Sequence, residues 1–517
     1  MMITKKNWLQ FFPFEKVRSQ QEEAINFILN IFINKNKRFA LLEGSPGSGK
    51  SAIAITVARY LNEAWVITPQ RILQKQYQND FSFISSIWSK EHYECPGKYV
   101  SCQLGSLINK VFKNKYCQCI YQQDKRNFLS NKISLTNVAF FLNHIEYSDE
   151  IKQRKLLVVD EAHTIDAAIS DFISININKY NIENYNLEWP KNKIHSIDEI
   201  FSWIKEYLII NLVKIKDYLD QKIKNLSQDQ LIKNKNLLKQ LNNIERYIKQ
   251  LDRCVSRFNK DEWILSVNKE EDELSLKPLF SSKYSHKQLF CVGEKILLMS
   301  GTILDKEIYC RNIGISVEET EFLSLDSPFK KENRTVFSVN VGSLNYRDID
   351  NNLPKIANAI TKLIAEHRLD KGLIHCTSYK IADYIVKNVK TNRFISHDSS
   401  NRMEMYELHL KSDKPTILIS PSMTEGIDLY DDLSRFQIIV KTPFPNLGDN
   451  FIVEKKKRVK DWYLLETAKT IIQSSGRSIR NENDWCKTYI LDSSFIFFYK
   501  NNRKLFPLWY QQALIFV

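Results

Sequence analysis

The 517-residue sequence predicts an α/β protein with two parallel, doubly wound sheet domains, the first interrupted by two insertions. Three observations lead there. Short apolar strand-like runs alternate with helical patterns over the first 80 residues and again over the last 190. A Cys- and Lys-rich stretch at 85–133 and an Asn/Lys/Ile/Leu-rich stretch at 176–285 both break that rhythm. The length itself exceeds one ordinary domain.

Taken in order, RFALLEG (38–44) reads as a buried strand entering a Gly-rich turn, SAIAITVARYL (51–61) as a helix and AWVITP (64–69) as a second strand. RKLLVVDEAH (154–163) is a strand ending in acids, and KILLMSGT (295–302) a strand ending in small polar residues. Between them, 176–285 has long helical periodicity, as in WIKEYLIINLVKIKDYLDQKIKNL (203–226), and predicts a bundle of amphipathic helices. The later strands are KGLIHCTS (371–378), TILISPS (416–422), FQIIVKTPF (436–444) and TYILDSSF (488–495). The resulting domain plan assigns 1–84, 134–175 and 286–328 to the first α/β domain, 85–133 and 176–285 to its insertions, and 329–517 to the second α/β domain.

A hydrophobic content of 43% with 12% aromatics is enough to build packed cores, so disorder is not the default. Lys and Arg number 74 against 60 acids, a net charge of +14 that favours a polyanionic partner through counterion release. A solvated basic surface would give the same count. The start, MMITKKNWLQFFPFEKVRSQ, has neither the apolar run nor the cleavage site of a signal peptide, and no stretch reaches about 18 apolar residues. The expectation is an intracellular chain without a membrane span, cytoplasmic, or nuclear in a eukaryote.

GSPGSGKS (44–51) lies between a strand and a helix, the context that makes a phosphate-binding loop of it. Gly44, Ser45, Pro46, Gly47, Ser48 and Gly49 wrap backbone N–H groups around phosphate, Lys50 pairs with the β- and γ-phosphates, and the Ser51 hydroxyl ligates Mg²⁺. DEAH follows 110 residues later, at a strand end. There Asp160 would hold Mg²⁺, mostly through water, and Glu161 would activate the attacking water. QSSGRSIR (473–480) spaces Gln473, Arg477 and Arg480 by four and three, which on a helix shares one face. Arginines so placed can stabilise a departing γ-phosphate across a domain cleft. A salt-bridged surface helix is the plainer reading of that segment alone.

Those motifs stand in order with FFPFEKVRSQQ (11–21), TPQRILQKQ (68–76), LLMSGTI (297–303), SPFKKENR (327–334) and SPSMTEGIDL (420–429). In that order the chain resembles the XPD/DinG family of superfamily 2 DNA helicases, the iron–sulfur helicases, from about residue 11 to 495. The resemblance implies two RecA-like P-loop motor domains, an iron–sulfur domain at 85–133 and a helical arch at 176–285. It places Arg18 and Gln21 in the adenine-reading segment and Thr302 in the motif coupling hydrolysis to motion. Glu425, Gly426 and Asp428 fall where the nucleotide site meets the strand-binding surface, and Thr68 and Gln76 in a segment holding the nucleic-acid backbone. The implied activity is ATP-dependent 5′→3′ translocation on single-stranded DNA by a monomer acting on forked or tailed duplexes, with ATP and Mg²⁺ as cofactors. A nucleic-acid-stimulated translocase or remodelling ATPase that does not separate strands, and an RNA helicase, are the rival readings.

Nine cysteines in an intracellular-looking chain argue against a disulfide framework. Four of them, Cys95, Cys102, Cys117 and Cys119, fall within 25 residues, with six, fourteen and one residues between them. Four thiolates can hold tetrahedral zinc or a four-iron cluster, and this run lacks the paired knuckles of zinc sites. The resemblance implies a 4Fe–4S cluster. The tight Cys117–Cys119 pair departs from the family's wider spacing, leaving a degenerate site with Cys95 as a bystander as the alternative. Residues 90–132 hold 8 basic and 3 acidic residues interleaved with aromatics, a composition suited to a phosphate-backbone groove.

Overall fold

The computed structural model describes residues 7–96, 100–112, 119–190, 196–268, 272–398, 400–421, 429, 431–476, 479 and 484–517. Two seven-stranded parallel sheets dominate it. The first contains β1 (Phe39–Glu43), β2 (Ala64–Thr68), β3 (Ser85–Ser86), β6 (Ile133–Asn137), β7 (Arg154–Val159), β11 (Gly293–Ser300) and β12 (Thr320–Ser324). Its spatial order is β12-β1-β11-β7-β2-β6-β3. Every residue of β1 and β2 is buried, as expected where helices cover both faces of a parallel sheet. Arg154, at the start of β7, is buried beneath this sheet with its guanidinium 3.4 Å from the Trp65 ring centroid. It donates to the carbonyls of Ala64 and Leu129 at 2.8 and 3.1 Å, which satisfies a charge that burial alone would not tolerate.

The second sheet contains β13 (Val336–Gly342), β14 (Gly372–His375), β15 (Phe394–Ser396), β16 (Ile417–Ser420), β17 (Phe436–Ile439), β18 (Lys487–Asp492) and β19 (Leu514–Phe516). They are ordered β15-β16-β14-β17-β18-β13-β19, again all parallel. The two domains meet near the end of the DEAH segment. Lys455, buried on the helix Asn450–Arg458, pairs with Asp166 at 2.7 Å and lies 4.9 Å from the Trp462 ring centroid.

The Cys-rich stretch forms a small hairpin, β4 (Glu94–Cys95) with β5 (Val100–Ser101), and the helices Cys102–Val111 and Ile120–Ser130. The second insertion contains the long helices Ile209–Lys224 and Lys235–Arg257, packed on each other as the periodicity predicts. It is not helical throughout. β8 (Ile175–Asn178), β9 (Trp263–Asn268) and β10 (Glu273–Pro278) form an antiparallel sheet in the order β8-β10-β9. Alternation in β10, with Leu274 and Leu276 buried and their neighbours half-buried, is the period of two that lets one face cover the helices. No described helix is long and apolar enough to cross a membrane.

In the second domain, His409 is fully buried, its Nδ1 accepting from Thr416 Oγ1 at 2.9 Å and its Nε2 donating to the Leu433 carbonyl at 3.0 Å. Burial is the main reason that its pKa is pushed down to about 4. The unfolded chain therefore takes up this proton near the ordinary imidazole value, while the folded chain resists until about pH 4. Stability from this group is lost as pH falls across that window, by about 1.4 kcal/mol per pH unit. Thermal melts from pH 7 to 4.5 should show His409→Gln with a shallower loss of Tm than the unaltered chain. Parallel curves would mean that His409 carries none of the acid sensitivity.

Candidate active site

The phosphate loop follows β1 directly. Gly44 N–H donates to the Ser300 carbonyl at 3.0 Å, anchoring the loop to the end of β11. Gly49 closes the loop with φ of +81°, where a side chain would also overlap the Gln21 amide, so glycine is required twice over. The helix Lys50–Leu61 then begins, its first N–H groups available to an anion. Lys50 Nζ donates to the Gly44 carbonyl at 2.8 Å. The Ser45 and Ser48 hydroxyls are buried in the loop without a hydrogen-bond partner among the described residues. Orphaned buried hydroxyls cost about 1–3 kcal/mol each, and a phosphate oxygen is the partner that this cradle suits.

The two acids lie just beyond β7. Asp160 is 5% exposed, its Oδ1 accepting from the Glu161 N–H at 2.9 Å and its Oδ2 from the Tyr77 hydroxyl at 3.0 Å. Burial, and then the Glu161 charge, push its carboxyl up to about 6, against an opposing pull from Lys50. A buried anion held at this level favours a cation beside it. Glu161 adopts φ of +50°, a left-handed conformation uncommon for a non-glycine residue, and lines the cleft. The Tyr77 phenol is pushed well above the ordinary range by burial and Asp160, and the Ser51 side chain stands beside it.

A chain of polar contacts leaves the acids toward the second domain. His163 Nδ1 lies 3.3 Å from Glu161 Oε2 and 2.7 Å from Ser300 Oγ. Ser300 Oγ accepts from the Thr302 N–H at 3.0 Å, and Thr302 Oγ1 accepts from Gln473 Nε2 at 3.1 Å. His163 and Ser300 were visible only as letters of DEAH and LLMSGTI, without a role. Tyr77 carried no sequence signal.

The cleft enclosing these groups has a volume of about 1200 Å³ and is lined from both domains. Lys50, Ser51, Asp160, Glu161 and Thr302 face it from the first domain, Gln473 and Gly476 from the second. Arg18 donates to the Gly47 carbonyl at 2.9 Å, and Gln21 Oε1 accepts from the Arg18 N–H at 3.0 Å, so both sit against the phosphate loop. Gln76 also lines the cleft, whereas Thr68 is fully buried with its hydroxyl donating to the Gln70 carbonyl at 3.2 Å. The helix carrying Gln473 ends at Ser475, with Gly476 as its C-cap. Beyond it, Ile479 is buried with Phe329 and Cys486. Arg477, Arg480, Glu425, Gly426 and Asp428 lie outside the described residues.

In the Cys-rich insertion Cys95, Cys102 and Cys119 are all buried in one hydrophobic cluster, and Cys117 lies outside the described residues. Burial, followed by its hydrogen-bonded neighbour Cys119, pushes the Cys102 thiol up to about 11. Gly105, one turn along the same helix, lies so close to Cys95 that a Cβ would overlap its Sγ. Cys95 thus packs against the helix Cys102–Val111, and Cys102 lies beside Cys119. Among the described residues alone, no group of three or more His, Cys, Asp or Glu is placed to hold a metal ion.

Comparison with known proteins agrees with this architecture. A model described as the type III restriction enzyme res subunit matches residues 14–212, and a helicase C-terminal domain model matches residues 360–513. A probable ATP-dependent helicase of Methanocaldococcus jannaschii is 23% identical, the match covering 94% of this chain and 92% of the relative. The ATP-dependent DNA helicase XPD of Sulfolobus acidocaldarius is 22% identical over 95% of this chain and 98% of its own length. A solved XPD helicase superposes with a TM-score of 0.67 at 16% identity, covering 98% of this chain and all of that one. Two RecA-like sheets, a phosphate loop facing DEAH and relatives matched along nearly their whole length make one conclusion: the chain is an ATP-dependent helicase, similar along its length to XPD-type helicases.

Proposed function

We propose that the protein separates DNA strands by moving 5′→3′ along single-stranded DNA, drawing on Mg-ATP hydrolysed between its two motor domains. The observation that carries this is the path of polar contacts from Glu161 past His163, Ser300 and Thr302 to Gln473. It joins the groups at the reacting phosphate to the opposite domain, so the contacts there depend on what occupies the cleft. Ser51 and Asp160 would hold magnesium. Magnesium held there would supply charge neutralisation to the phosphates. Glu161 accepts the proton of the attacking water, Lys50 leaves the Gly44 carbonyl for the phosphates, and Arg477 and Arg480 stabilise the departing γ-phosphate. Release reopens the domains, and alternating grip on the phosphate backbone ratchets the strand. The DNA substrate and the polarity rest on the family resemblance, and the net charge of +14 supports a polyanionic partner.

Cys95, Cys102, Cys117 and Cys119 would hold a 4Fe–4S cluster, which would cross-link the short hairpin and the two helices of the insertion. Burial of Cys95, Cys102 and Cys119 in one hydrophobic cluster supports this assignment.

Lys50→Ala should lower ATP turnover by at least about 100-fold while single-stranded DNA binding changes little, since the charge lost lies in the nucleotide cleft. Retained turnover would remove the phosphate-loop assignment. On partial duplexes bearing one tail, ATP-dependent strand displacement should be confined to 5′-tailed DNA; displacement from a 3′ tail reverses the polarity, and a preference for RNA tails replaces the substrate. Cys117→Ser should lose iron and labile sulfide, and should cut unwinding by about 10-fold or more with ATP turnover within a few-fold of the parent. Full iron content with full unwinding would dismiss Cys117 as a ligand.

A further inference from the structure

Tyr77 lies on the helix Arg71–Asp80, and no motif assigns it a part in hydrolysis. Its side chain is 2% exposed, packed in the core of the first domain with its ring 5.8 Å from Phe81, which in turn meets Phe14 at 5.9 Å. A buried phenol needs partners for its hydroxyl. Here they are the two groups assigned above to magnesium. Tyr77 donates to Asp160 Oδ2 at 3.0 Å, and the Ser51 side chain stands beside its oxygen. With its one proton committed to the carboxylate, the phenol oxygen can only accept from Ser51.

That polarity matters chemically. A hydroxyl ligates a cation through a lone pair, so its own proton must be directed elsewhere. The phenol oxygen can take the Ser51 proton, and the phenol proton fixes one oxygen of Asp160, whose other oxygen is fixed by the Glu161 N–H. Ser51 belongs to the helix after β1 and Asp160 to the loop after β7, so the phenol bridges two separate elements.

We propose that Tyr77 is a positioning residue of the nucleotide site, orienting Ser51 and Asp160 for magnesium before the metal arrives. The inference rests on the assignment of those two residues to the metal and deepens it.

The test uses the full chain with Tyr77→Phe, which keeps the ring and removes the hydroxyl. A fluorescent ADP analogue is titrated in EDTA and at rising free Mg²⁺, and ATP turnover is followed over the same Mg²⁺ series. The expected result is an unchanged affinity in EDTA, with the half-saturating Mg²⁺ raised about 10-fold for both ADP binding and turnover. Turnover at saturating Mg²⁺ should fall by less than that factor. An unchanged Mg²⁺ requirement overturns the proposal, as does an equal loss of ADP affinity with and without Mg²⁺, which would mark Tyr77 as packing alone. If Tyr77→Phe is unstable, Tyr77→Met refills the space without a hydroxyl and has to raise the Mg²⁺ requirement in the same way. Asp160→Ala separates the two levels: a wild-type Mg²⁺ dependence in that variant would fail the metal assignment itself, whatever Tyr77→Phe does.

Discussion

The constraint on which the rest of the structure depends is the in-register parallel pairing of β1, β11, β12 and β7. Glu43 stands opposite both Ser300 and Ser324, and Leu298 stands opposite Val159. Parallel strands that end together bring the segments following them to one edge, and open α/β sheets bind ligands at that carboxyl edge. The phosphate loop, the DEAH acids and the Ser300–Thr302 turn are thus neighbours despite their separation in sequence. Glu43 secures the arrangement from beneath: its carboxylate accepts from Ser324 Oγ at 2.7 Å and from the Leu304 N–H at 2.6 Å. Burial pushes this carboxyl above its usual range, and these hydrogen bonds offset part of that cost. The strand ends cannot slide past one another without orphaning it.

Burial also sets the electrostatics. Asp160 is held in a protein interior where Glu161 repels it and Lys50 attracts it, and in low dielectric each of these terms is larger than at a surface. One cation and two acids are thus close in the cleft, with Lys50 offsetting part of the repulsion between Asp160 and Glu161. The domain contact obeys similar rules. Lys455 and Asp166 form a buried pair, and separating them without replacement would leave a buried charge uncompensated. Asp166 begins the helix Ile165–Ile173 immediately after DEAH, so the resting domain arrangement is tied to the same segment that carries the acids.

Legibility in the sequence followed the locality of the physics. Strands such as β1 and β2 were plain because five consecutive buried residues leave a continuous apolar run. The phosphate loop was plain because backbone recognition of phosphate needs glycine, lysine and serine at fixed offsets. β8 was missed because Ile175–Asn178 alternates isoleucine with asparagine over four residues, too short to stand out from a helical background. The end of the helix Trp462–Ser475 was not read because spacing alone was weighed, while Gly476 stands as its C-cap.

Tyr77 shows why the remainder of the site could not be read. Its role is defined by two partners, Ser51 and Asp160, that are 26 positions before it and 83 after it. A tyrosine on an amphipathic helix is compositionally a core residue, and here it is one. The functional content lies in a single hydroxyl whose proton order is set by neighbours from two other elements. Catalytic groups that touch phosphate must satisfy a chemistry common to all nucleotide sites, and their pattern therefore recurs. A group that orients them needs only to arrive from any element that passes nearby, so it leaves no pattern, and the fold has to be known before it can be recognised.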